Sequence, residues 1–90
     1  MRSQIVPKPD CAYDEIEANM QPGDLIESPH PNAAMTDCWL YRCPQCGKVW
    51  TMRVPDIHQI ISRDPLTVTP SWLCPAGCHY FIRNGEIVGA

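Results

Sequence analysis

The sequence predicts a small β-rich zinc ribbon, built of β-hairpins with two zinc knuckles, and a short helical N-terminal extension. Three observations lead there. The cysteines that matter come in two tight groups, "CPQCG" from Cys43 and "CPAGC" from Cys74. The runs beside them alternate in character with period 2, the period of a strand. Ten prolines in 90 residues, about double the usual share, leave room for many turns and few long elements.

Residues 1–36 read as an acidic, Pro-rich extension. Pro7 and Pro9 keep the start extended, and Asp10 is a candidate N-cap for a short helix through about Met20. Tyr13, Ile16 and Met20 then share one face of that helix, which packs on the ribbon, while Asp14, Glu15 and Glu17 stay in solvent. "QPGD" reads as a type II turn, with Pro22 presetting φ and Gly23 taking a positive φ. "DLIES" is a short strand and "PHPNAAMT" a loop.

Residues 37–90 read as the zinc-ribbon-like domain. "CWLYRC" and "KVWTMRV" are strands on either side of the Cys43–Cys46 turn. Alternation puts Trp39 and Tyr41 on one face, and Trp50 and Met52 on one face of the partner strand. "PDIHQIIS" opens with Pro55 and spaces Ile57, Ile60 and Ile61 as a short helix closed by Pro65. "LTVTPSWL" is extended. "YFIRNGEIVG" is a hairpin around Asn84-Gly85, which suits a type I′ turn with both central residues at positive φ.

Two thiolates in C-x-x-C spacing reach one ion only if the chain turns tightly between them. Pro44 fixes one dihedral of that turn and Gly47 tolerates positive φ. The second group repeats the Cys-Pro opening with one more residue and Gly77 as its flexible element. The predicted ligands are therefore Cys43, Cys46, Cys74 and Cys78, holding one structural Zn2+ per chain. His79 competes with Cys78 for the fourth position, because adjacent side chains on a strand point to opposite faces. Cys38 is a further alternative ligand. Cys11 and Cys38 otherwise read as small buried hydrophobes, His58 as a packing or surface residue and His30 as solvated.

Charge narrows the partners. Residues 1–36 carry a net −4 and residues 37–90 a net +1. That is no basic patch for a duplex, although Arg42, Lys48, Arg53 and Arg83 beside stacking aromatic rings leave nucleic acid as the less favoured partner. "MRSQIVPKPD" lacks the apolar run of a signal peptide and nothing downstream could span a membrane, so a cytoplasmic protein with reduced thiols is expected.

The tail "TPSW…C…HYFIRNGEIV" resembles a family of small phage and bacterial proteins with a metal site and no assigned activity. The resemblance lies in Pro70, Ser71, Cys74, His79, Tyr80, Phe81, Ile82, Asn84 and Gly85, with more space between Cys74 and His79 than the family shows. It implies a metal-binding domain, and for some members an association with ubiquitin-like conjugation systems in bacteria. No His-x-Glu precedes the cysteines, and neither H-E-x-x-H nor a phosphate-binding G-x-x-x-x-G-K occurs. Four thiolates also close the metal's coordination shell. The expectation is thus no enzyme but a phage or prophage accessory protein that binds an unidentified host or phage protein, in the host cytoplasm. A nucleic-acid-binding or transcription-modulating ribbon is the alternative.

Overall fold

The computed structural model describes residues 1–90 and holds two four-stranded sheets. The first runs β1 (Gln4–Val6), β2 (Asp24–Ile26), β3 (Cys38–Arg42), β4 (Val49–Arg53) in spatial order. The second runs β5 (Gln59–Arg63), β6 (Leu66–Leu73), β7 (His79–Arg83), β8 (Glu86–Gly89). All neighbours are antiparallel except β1 and β2, which are parallel. No helix is long and apolar enough to cross a membrane. The protein is β-rich as expected, but with two full sheets it is larger than a ribbon of hairpins.

The alternation read in β3 and β4 sets the core. Trp39 pairs with Met52 and Tyr41 with Trp50. Trp39, Tyr41 and Met52 are buried in one cluster with Leu66, Val68, Trp72, Tyr80 and Ile82 of the second sheet. The Tyr41 and Trp72 rings meet edge-on across the two sheets, centroids 5.5 Å apart. Asn84 (φ 53°) and Gly85 (φ 75°) form the predicted turn between β7 and β8.

Two predicted helices are absent. Residues 13–19 form two successive 3₁₀ turns, Tyr13–Glu15 and Glu17–Asn19, and no α-helix. An isolated helix of this length is marginal in water, so tertiary burial decides its form. The turns still bury Ile16 and Met20 against Ile26, on the face of the first sheet away from the main core, with Val6, Leu40 and Val49 beside them. Each such side chain contributes about 1.5–3 kcal/mol by leaving water. Tyr13 stays partly exposed and packs on the His30 ring.

"PDIHQIIS" is a turn followed by strand β5. Its β-branched isoleucines suit a pleated surface, and Ile60 pairs with the buried Val68 of β6. The composition boundary after residue 36 falls between β2 and β3, which pair as Leu25 with Tyr41 and Ile26 with Leu40.

Candidate active site and metal centre

Each cysteine group sits on a turn that leaves one sheet toward the other. After β3, the Cys43 N–H donates to the Lys48 carbonyl (3.0 Å) and the Gly47 N–H to the Cys43 carbonyl (2.8 Å). After β6, the Cys74 N–H donates to the Cys78 carbonyl (2.8 Å) and the Gly77 N–H to the Cys74 carbonyl (2.9 Å). Gly47 and Gly77 take φ of 75° and 96°, which is why glycine stands at both. The two turns bring the Sγ atoms of Cys43, Cys46, Cys74 and Cys78 all within 4.8 Å of one another. Ideal tetrahedral bonds of 2.3 Å to sulfur separate ligands by about 3.8 Å. The Cys46–Cys74 separation of 4.0 Å is close to that. Soft donors, tetrahedral spacing and two buried members fit a metal ion.

Hydrogen-bond donors reach two of the sulfurs directly. The Tyr80 hydroxyl donates to Cys43 Sγ (3.1 Å), and the Cys78 N–H to Cys74 Sγ (3.3 Å). Tyr80 is bonded in turn to Tyr41 (3.1 Å), and Tyr41 to Ser3 (2.8 Å). The buried Trp50 indole N–H has no acceptor at full hydrogen-bond geometry but acts on the neighbouring Cys46. Burial pushes the Cys46 thiol up, yet donors from the Lys48 backbone, Trp50, Cys43 and Cys74 outweigh it and bring the group to about 7. The Cys74 hydrogen bond, then burial, pushes Cys78 up to about 12.

The other expected candidates lie elsewhere. Cys38 Sγ contacts its neighbour Asp37 (3.7 Å) and Cys11 lies beside Asn19 (3.7 Å). His30 accepts from the Asn32 N–H (3.0 Å). Of the basic residues, Arg53 pairs with Asp37 and Asp56, Arg83 lies over the Phe81 ring (4.1 Å), and Arg42 donates to the Gly47 and Glu17 carbonyls. Of these, only Arg53 is paired with carboxylates.

His79 opens β7 one residue past the cluster, and its ring turns the other way. The register explains it. Trp72 pairs with Tyr80 and both are buried, so their neighbours Leu73 and His79, also paired, face outward. Between Val68 and Trp72 the register of β6 shifts, and Ser71 lies in that irregular stretch. The Ser71 hydroxyl is 2.8 Å from His79 Nε2 on the exposed face. From the other side, His58 Nε2 lies 3.2 Å from the Ser71 carbonyl.

A hydroxyl within hydrogen-bond reach of an imidazole nitrogen, both open to solvent, is the pairing that serine nucleophiles use. The chain belongs to the family described as bacterial ubiquitination-like system serine protease (BubE), whose family model matches residues 12–90. No curated protein and no solved structure matches the chain.

This family overturns the expectation of a non-enzymatic protein. That expectation rests on the absence of metal-catalysis motifs and on a closed metal shell. It passed over Ser71, eight residues before His79. The signal was present: Ser71 and His79 share the resembling motif, and reading Cys74–Cys78 as a hairpin turn puts both on the outward face of adjoining strands. The family's description names a bacterial ubiquitination-like system, as the resemblance implied for some of its members. A phage origin is no part of that description.

Proposed function

We propose that this protein is a serine peptidase in which Ser71 is the nucleophile and His79 the general base, on a hairpin held by a structural zinc. The observation that carries the reading is the 2.8 Å contact between Ser71 Oγ and His79 Nε2. Ser71 Oγ attacks the scissile carbonyl carbon while His79 Nε2 takes its proton. The same imidazolium then protonates the leaving group, and water, deprotonated by His79, releases the acyl-enzyme. The family's description supports a substrate that is a protein of a ubiquitination-like system, cleaved on this reading at a segment accessible to an open sheet face. The protein binding expected from the sequence becomes, on this reading, binding of that substrate.

Four thiolates fill a tetrahedral shell, so the metal has no open position for water and its contribution is structural. Zinc suits the donor set, and iron is the other ion that a four-sulfur site accepts. Cys43, Cys46, Cys74 and Cys78 would hold it, and elemental analysis of protein purified without added metal tests both stoichiometry and identity.

The test of the enzyme is direct. Purified protein should react with a fluorophosphonate probe at Ser71, identified by peptide mass. Ser71→Ala should abolish labelling, and His79→Ala should slow it by about 10³-fold or more, with metal content unchanged in both. Labelling at another serine, or wild-type reactivity without His79, would sink the proposal.

A further inference from the structure

His58 is a buried polar side chain to which the nucleophile–base pair gives no role. It is 7% exposed, and its ring lies against Trp72 with centroids 5.4 Å apart. Its one hydrogen bond runs from Nε2 to the Ser71 carbonyl, and Nδ1 is buried without a partner. A carbonyl only accepts, so Nε2 carries the proton. Leucine or phenylalanine would fill this space against Trp72 without burying an unpartnered ring nitrogen such as Nδ1, a burden of about 1–3 kcal/mol, but would leave the Ser71 carbonyl without the donor that His58 gives it.

The ladder around Ser71 shows what the histidine replaces. On the β5 side the last pair is Gln59 with Thr69, and the next step along would place residue 57 opposite Ser71. The main chain has turned away there: the N–H groups of Ile57 and His58 both donate to the Arg53 carbonyl (3.2 and 2.8 Å). On the β7 side regular pairing resumes only at Trp72 with Tyr80. Ser71 thus sits where β6 has lost its β5 partner, and the His58 side chain supplies the missing donor.

We propose that His58 is a positioning residue for Ser71: its Nε2–H anchors the Ser71 peptide, and so fixes the hydroxyl against His79. The inference rests on the serine peptidase reading and deepens it. Without the anchor the irregular stretch can rotate, and a shift of about 1 Å at a reacting group costs on the order of 10²-fold in rate.

The experiment compares the rate of fluorophosphonate labelling in the full, metal-loaded chain and in His58→Phe, His58→Gln and His58→Asn. A glutamine amide nitrogen reaches the place of Nε2, whereas an asparagine amide nitrogen reaches only that of Nδ1. Labelling should slow by about 10–100-fold in His58→Phe and His58→Asn and stay within about threefold of wild type in His58→Gln. Metal content should be the same in all four. A merely structural histidine would not separate glutamine from asparagine in this way, so equal rates in those two variants overturn the proposal. Wild-type labelling in His58→Phe does so as well. Absence of Ser71 labelling in the wild-type chain is a different failure, because it removes the peptidase reading on which His58 depends.

Discussion

Tyr80 is fully buried, with its hydroxyl donating to the Cys43 sulfur and sharing a bond with Tyr41. Burial, then the bonds to Cys43 and Tyr41, pushes its ionisation far up, and burial holds Tyr41 at about 12. Both phenols therefore remain protonated, and Tyr80 remains a donor. A divalent ion with four thiolates carries a net −2, and burying that charge requires donors around the sulfurs. Tyr80→Phe removes one donor and keeps the ring. Metal affinity, measured by competition with a chromophoric chelator, should fall about 10–100-fold. Unchanged affinity would mean that the hydroxyl serves the Tyr41–Ser3 chain alone.

At the scale of elements, the β6–β7 hairpin joins the two sites. Its turn carries Cys74 and Cys78, and its strands carry Ser71 and His79 immediately outside that turn. An ion held by the four thiols would fix the spacing of the strands that carry Ser71 and His79. A structural zinc contributes on the order of 10 kcal/mol to a small domain. Chelation should therefore suppress serine labelling by more than about tenfold and unfold part of the chain, with recovery when zinc is returned. Full labelling in chelated protein that has lost its metal would show that strand pairing alone holds the hairpin.

At the scale of the molecule, the N-terminal residues tie the sheets together. The Met1 carbonyl accepts from the Ile87 N–H (3.0 Å), and the Ser3 N–H donates to the Gly85 carbonyl (2.9 Å). The chain then enters the first sheet as β1, where Gln4 and Asp24 side chains bond. Gly23 admits this path: a Cβ there would lie 2.0 Å from the Arg2 carbonyl oxygen. The family match begins at residue 12, so this strap lies before it. Deleting residues 1–11 should leave the metal bound but lower the thermal midpoint by about 10 °C or more, since 1 kcal/mol is worth about 4–8 °C at this size. An unchanged midpoint would make the strap peripheral. The same comparison on residues 37–90 alone tests whether the compositional boundary marks an independent unit, as we propose it does for metal binding. The β2–β3 pairing predicts a large loss of stability in that fragment.

The sequence by itself determined whatever depends on neighbours along the chain. Cysteine spacing with Pro44, Gly47 and Gly77 marked both turns, Asn84-Gly85 marked a hairpin, and period-2 alternation marked β3 and β4 and their inward faces. Only the tertiary structure decided what depends on partners far along the chain. Residues 13–19 lack an α-helix because burial on the first sheet, and not local propensity, fixes their form. Residues 59–63 are a strand because β6 offers them an edge. Cys78 joins the thiol cluster while His79 turns outward, since the pairing of Leu73 with His79 assigns each to its face. The Ser71–His79 contact needs the Leu73–His79 and Trp72–Tyr80 pairs of two adjoining strands, and that register is held by the burial of whole faces.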